Sequence, residues 1–285
     1  MLEWLAKFRQ VDRRLIYLVL TTVVVAPFFL PMELPIYPSP PARTFYEAVE
    51  AVPADQLILI GSDWDAGTQG EMSPQSEAVI THLMKSKKRF AIWSAFVQGP
   101  LLTQTICERL APEFGAKYGE DWVNIGYRTA TFNTLMAAVK DFQGTFKTDY
   151  KNTPLEKLPV LDGIKDVKQI GMVIDFSGSM MMPTYINVFG PYKETKLCAG
   201  VTAVMGPDFF PFLDAGQIKG LLLGLKGAAE YEALVGRPSQ ATSSMNSQSL
   251  AHLLIILLIV LGNLGLVAQR KLEARQAEQD QGGGK

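Results

Sequence analysis

The sequence has few of the residues on which common catalytic sites depend. It contains 2 Cys and 2 His in 285 residues, too few to support a zinc site. Cys107 and Cys198 could pair in an oxidising compartment, but both lie in apolar segments, which favours buried free thiols. No P-loop occurs, and no G-x-G-x-x-G follows a predicted strand, so no nucleotide site or other organic cofactor is indicated.

Charge is also scarce, at 19% of residues against 48% hydrophobic. Much of the apolar excess lies in two uncharged stretches, residues 15–31 and 250–268. Each is about long enough, with its apolar neighbours, to cross a bilayer as a helix. The first could instead be a cleaved signal peptide, but its length and the lack of a small-x-small cleavage site favour an anchor. We therefore expect two transmembrane helices.

The basic residues predict how these helices are oriented. Seven Lys and Arg flank the two stretches on their outer sides, namely Lys7, Arg9, Arg13, Arg14, Arg270, Lys271 and Arg275. The positive-inside rule then places both termini in the cytoplasm and residues 32–249 outside a cell membrane. That central part carries 19 Lys and Arg against 23 Asp and Glu, a balance that argues against nucleic-acid binding.

Composition divides the chain into seven segments. A proline-rich stretch after the first span predicts an extended stalk, and a Ser-, Asn- and Gln-rich stretch before the second predicts a flexible linker. The expected order is a cytoplasmic segment 1–14, a span 15–31, a stalk 32–44, an α/β domain 45–236, a linker 237–249, a span 250–268 and a cytoplasmic tail 269–285.

Within the central domain, short apolar runs alternate with amphipathic helical patterns. The runs predict five strands, at 56–63, 89–96, 121–127, 168–177 and 196–205. This alternation favours an α/β domain with a doubly wound, Rossmann-like or flavodoxin-like, mostly parallel sheet of about five strands. Ligands of such sheets bind beyond the carboxyl ends of the strands, so we expect any site there.

One strand end resembles a known metal motif. The stretch "VIDFSGSM" is similar to the metal-ion-dependent adhesion site of von Willebrand factor A domains, Asp-x-Ser-x-Ser after a buried strand. The resemblance implies that Asp175, Ser177 and Ser179 hold a metal ion such as Mg²⁺, with Thr202 or Asp208 in place of the more distant ligands. The alternative is a Ser/Gly turn whose hydroxyls bond to the local backbone.

A second strand end resembles an enzyme motif. The stretch "LILIGSDWDAGT" looks like the first motif of haloacid-dehalogenase-type phosphohydrolases. The resemblance implies Asp63 as nucleophile and Asp65 as acid/base, with Ser94 in the second motif and Mg²⁺ as cofactor. The resemblance also implies that Asp175 and a preceding lysine, either Lys165 or Lys168, belong to the remaining motifs. The alternative is that Asp63 and Asp65 are the solvated acids of an exposed loop.

Four glycines recur at intervals of four, four and three residues, at Gly216, Gly220, Gly224 and Gly227. We expect a helix over 212–236 with these glycines on one face, because glycines let two backbones approach closely. The face would pack either on the domain's own sheet or on a neighbour, which would be another copy of the chain or another membrane protein.

These patterns leave three hypotheses about function. The first is a non-enzymatic component of a membrane assembly, which acts through interactions with other proteins as an oligomer. The second is a ligand-binding or sensing domain that uses the crevice at the strand ends. The third is a metal-dependent phosphohydrolase, which requires Asp63, Asp65 and Asp175 to converge.

Overall fold

The computed structural model describes residues 11–30, 34–129 and 132–282, with side chains up to residue 275. It divides into two compact units. One unit is Pro35–Thr242, which we call the α/β domain, and the other combines Met1–Leu34 with Ser243–Lys285.

The α/β domain is built on a six-stranded sheet in which all neighbouring strands are parallel. The strand order is β3-β2-β1-β4-β5-β6, which is that of the doubly wound Rossmann type. The predicted α/β class is confirmed, with six strands in place of about five. The strands are β1 (Leu57–Asp63), β2 (Phe90–Ser94), β3 (Trp122–Tyr127), β4 (Ile170–Ser177), β5 (Lys196–Val201) and β6 (Gly220–Leu223).

Helices cover both faces of the sheet, and two further helices lie near the chain ends. One face packs against α2, α3, α4 and α9, and the other against α5, α6, α7 and α8. The helices are α1 (Arg13–Val25), α2 (Pro40–Glu50), α3 (Gln69–Lys85), α4 (Gly99–Phe114), α5 (Phe132–Ala138), α6 (Phe142–Phe146), α7 (Met182–Phe189), α8 (Gly206–Asp214), α9 (Gly224–Val235) and α10 (Gln240–Gly282).

The strands are apolar on both sides because both of their faces are buried. In β1, Leu57 and Leu59 join the core under α7, while Ile58 and Ile60 join the core under α3. Every residue of β1 is buried, and full burial of one aliphatic side chain contributes about 1.5–3 kcal/mol. The cysteines are buried free thiols, as their apolar surroundings indicate.

The predicted helix over 212–236 is wrong. Gly216 forms a left-handed turn at φ 69°, Gly220 begins β6, Gly224 joins β6 to α9 at φ 53°, and Gly227 lies within α9. The four glycines therefore share no helix face. A side chain at Gly220 would collide with the main chain of Phe45, so α2 packs directly on β6. The four-residue strand was missed because it is too short for an alternating pattern to show.

Both predicted connecting segments contain helix. The predicted stalk over 32–44 ends where α2 begins, at Pro40. A proline fits the first turn of a helix, because its missing N–H costs nothing there. The linker over 237–249 gives way to α10 at Gln240. The carboxylate of Glu232 accepts hydrogen bonds from the main-chain N–H groups of Ser239, Ala241 and Thr242 at 2.8–3.0 Å. These bonds hold the start of α10 in place.

Among the described residues, one helix is long and apolar enough to cross a membrane. It is Gln240–Arg275, with a mean hydropathy of 2.6 in its most apolar window, and it contains the predicted span 250–268. The other predicted span, 15–31, coincides with α1, which has 13 residues, and with a 3-10 turn at Ala26–Phe28. The N-terminal span is not confirmed, and part of its flanks lies outside the described residues.

Candidate functional site at the carboxyl ends of the strands

Two buried carboxyl groups lie where the strand order reverses, between β1 and β4. Asp63 is the last residue of β1, and Asp175 lies on β4 directly opposite Gly61. Since side chains alternate along a strand, both carboxyls point to the face covered by α7. Neither side chain is exposed to solvent. We call Asp63 and Asp175 the acid pair.

Asp63 is surrounded by hydrogen-bond donors. Its Oδ1 accepts from Ser94 Oγ at 2.8 Å and from the N–H of Ala95 at 2.9 Å, and its Oδ2 accepts from Tyr185 Oη at 2.7 Å. A side chain at Gly61 would collide with the Tyr185 hydroxyl, so this glycine leaves the room that the tyrosine needs. Three donors in a buried site stabilise a carboxylate anion.

Asp175 has the opposite surroundings. Neither of its side-chain oxygens has a hydrogen-bond partner among the described residues. Burial raises the pKa of Asp175 well above its usual value, and the charge of Asp63 raises it further. Burial also raises the pKa of Asp63, although its donors oppose that shift. Asp175 is therefore the carboxyl of the pair that favours its protonated form more strongly.

The structure brings together some of the residues that the phosphohydrolase motifs predict. Asp63, Ser94 and Asp175 meet, but Asp65 is exposed and accepts a hydrogen bond from the N–H of Gly67 at 2.9 Å. The two candidate lysines precede β4 and so lie toward its opposite end. The expectation that Asp63 lies in an exposed loop is wrong, because α7 covers it. A buried carboxylate that accepts three hydrogen bonds is poorly placed to attack a phosphate.

In the predicted metal motif, the side chain of Ser177 is hydrogen-bonded within the motif itself. Ser177 Oγ donates to the carbonyl of Ser179 at 2.7 Å and accepts from the N–H of Ser179 at 3.1 Å. Asp208 is exposed in the first turn of α8. In the described ranges, no group of three or more His, Cys, Asp or Glu side chains is placed to hold a metal ion. The local geometry is that of a Ser/Gly turn.

Asp63 also ties three loops together. Its carboxylate bonds to Ser94 and Ala95 at the end of β2, and its own carbonyl accepts from the N–H of Gly178 at 3.1 Å. The loops that follow β1, β2 and β4 are thus held at one buried point. This arrangement fixes the surface that the three loops present to solvent.

That surface carries exposed apolar side chains. Of the nine large apolar side chains that are exposed among the described residues of the α/β domain, seven follow the carboxyl ends of strands, and the other two are Tyr37 and Tyr192. We call these seven the apolar rim. The apolar rim consists of Val97, Leu101, Tyr127, Phe132, Met180, Val204 and Phe210.

Several side chains of the apolar rim are highly exposed to solvent. Val204 is 84% exposed, Val97 62% and Met180 49%. Single apolar side chains scattered over a protein surface are normal, whereas these seven lie toward the same edge of the sheet. Sequence reasoning missed the rim, although a signal was present: the strand-end loops "VQGPL", "SMMM" and "VMGPDFF" are unusually apolar for loops.

A scan of protein-family models finds no match to this chain, and a search of curated proteins finds no significant relative.

Proposed function

We propose that the protein is a membrane-anchored, non-enzymatic component of an assembly of its own copies, joined through the apolar rim. The rim is the observation that carries this proposal. Burial of one large apolar side chain contributes about 1.5–3 kcal/mol. Burial of several of the seven together offsets part of the cost of association, which is about 4–15 kcal/mol.

The acid pair supports the same function indirectly, because Asp63 holds strand-end loops in place. Loops that become ordered only on binding reduce affinity, because the ordering costs conformational entropy. Here Asp63 holds the loops after β1, β2 and β4 before any partner arrives. The polar cluster is thus a support for the rim, which is consistent with its complete burial.

The membrane part of the proposal has two passes and both termini in the cytoplasm, with the α/β domain outside. The apolar part of α10 and the seven basic flanking residues support it. A membrane-impermeant thiol reagent added to intact cells should label Ser243→Cys and miss Gln276→Cys. The reverse pattern would show the opposite orientation.

The assembly itself is tested by the native mass of the full-length protein in mild detergent. We expect a multimer for the wild type and a shift toward the monomer for Val204→Glu and Met180→Glu, because each places a charge in the contact. Tyr37→Glu is the matched control, since Tyr37 is 81% exposed but lies outside the rim. A monomeric wild type, or a multimer that both rim variants keep, would rule out the proposal.

A further inference from the structure

The amino ends of the strands contain a cavity of about 600 Å³. It lies beside the amino end of β5, next to the chain that follows α7 and the turn that precedes β6. Three lysines line it together with neutral polar side chains. The polar lining includes Asn187, Tyr192, Lys193, Lys196, Gln217 and Lys219.

The lysines have no ionic partner within the part of the chain that the structure describes. Lys196 Nζ lies 3.4 Å from the carbonyl of Lys193, and Lys219 Nζ lies 3.3 Å from the carbonyl of Gly216. None of the three ammonium groups forms an ion pair with a described carboxylate, and no Asp or Glu lines the cavity. Three lysines therefore line one cavity whose lining holds no acidic side chain.

Several negative charges lie nearby but outside this lining. Glu194 lines a neighbouring cavity of about 480 Å³, which Lys196 and Lys219 also border. Asp214 ends α8 and is exposed. The carboxyl ends of α7 and α8 each carry about half a negative charge. These charges weaken the positive potential, but none of them is positioned to occupy the cavity.

We propose that this cavity, named here the lysine cavity, binds a phosphate monoester. A phosphate has several acceptor oxygens, and each ammonium group has three donors, so three lysines can contact one phosphate group together. The volume exceeds that of a bare phosphate ion and leaves room for a small organic group. Ile186 and Leu197 in the lining offer that group an apolar contact. A soluble phosphate monoester and the headgroup of phosphatidic acid, which is also a phosphate monoester, share this chemistry.

The test is a titration of the full-length protein with glycerol phosphate in nanodiscs of neutral phosphatidylcholine. We expect saturable binding that weakens as salt rises. Lys219→Ala and Lys193→Ala should each weaken binding by about tenfold, because each removes a charge-assisted hydrogen bond. Lys157→Ala, at an exposed lysine outside the cavity, should bind like the wild type. Glu194→Gln should bind more tightly, because a neighbouring negative charge has gone.

A second set of nanodiscs that also contains phosphatidic acid distinguishes the source of the phosphate. Weaker apparent binding of glycerol phosphate there identifies the lipid headgroup as a competitor, and unchanged binding identifies a soluble ligand. Either result supports the lysine cavity. Absence of saturable binding in both discs would overturn the proposal, as would binding that the double variant Lys193→Ala/Lys219→Ala retains.

Discussion

The two edges of the central sheet carry different kinds of side chain at the surface. At the carboxyl edge, the charged groups of the acid pair are sealed under Tyr185 and the exposed side chains are apolar. At the amino edge, cavities stay open and three lysines face one of them. Doubly wound sheets usually bind small ligands at the carboxyl edge. We propose that in this chain the carboxyl edge contacts another protein and the amino edge binds a small anion.

The difference shows how burial decides the role of a charged residue. Asp63 and Asp65 are two residues apart, yet the first accepts three buried hydrogen bonds and the second is exposed. A motif of two acids indicates chemistry only when both can reach a substrate.

Removal of the Asp63 carboxylate should have the largest effect on stability. Asp63→Ala leaves the buried hydroxyls of Ser94 and Tyr185 and the partly buried N–H of Ala95 without their acceptor, which we expect to cost about 3–5 kcal/mol. Asp65→Ala removes an exposed carboxylate and should change the free energy of unfolding by less than about 0.5 kcal/mol. Urea unfolding followed by tryptophan fluorescence measures both. Equal losses in the two variants would show that Asp63 does not support the carboxyl edge.

At the amino edge, Gly220 controls the packing of α2 on β6. Gly220→Ala places a methyl group against the Phe45 main chain, and overpacking of this kind costs about 1–3 kcal/mol. Gly70→Ala is the control, because a side chain there meets no atom within 4 Å. Thermal unfolding should show a lowered midpoint for Gly220→Ala alone. If Gly220→Ala instead left the midpoint unchanged and altered the oligomer, the glycine would face a neighbour.

The acid pair should make stability depend on pH. The pKa of Asp175 is raised in the folded state, so the folded protein binds more protons than the unfolded chain once pH exceeds the unfolded value. Stability is then full below the unfolded pKa and falls as pH rises toward the folded pKa, by at most about 1.4 kcal/mol per pH unit.

Asp175→Asn keeps the shape of the protonated acid and cannot ionise. The difference in the free energy of unfolding between the wild type and Asp175→Asn should therefore fall as pH rises through the neutral range. Taking the difference cancels contributions from other groups, such as His82, whose pKa burial lowers. A difference that stays constant with pH would show that Asp175 is not the residue that holds the proton.

The sequence predicts the strands β1 to β4 better than the short strand β6 at the edge of the sheet. The strands β1 to β4 are long apolar runs with polar ends, and their predicted positions agree with the structure to within a few residues. The same reasoning placed Asp63, Ser94 and Asp175 at one edge, because the carboxyl ends of parallel strands meet there. The short strand β6 was missed, since Gly220 and the three glycines around it, Gly216, Gly224 and Gly227, imitate a helical spacing.

Burial of the acid pair could not be predicted from the sequence. It depends on Tyr185, which lies on α7 (Met182–Phe189), and the local sequence does not show that this short helix lies over Asp63. The start of α10 is a similar case, because Glu232 stabilises it from another helix. Contacts between distant segments decide both features, and local sequence patterns do not record them.

The most direct test of the account compares the two edges in one experiment. Val204→Cys places a thiol in the rim and Lys193→Cys places one in the lysine cavity, while the native Cys107 and Cys198 are buried. The rate of maleimide labelling is measured at a concentration that favours assembly and again after dilution. We predict that labelling at position 204 is much slower in the concentrated sample and that labelling at position 193 does not change. Equal rates at position 204 in both samples would contradict the claim that the carboxyl edge is the surface of assembly.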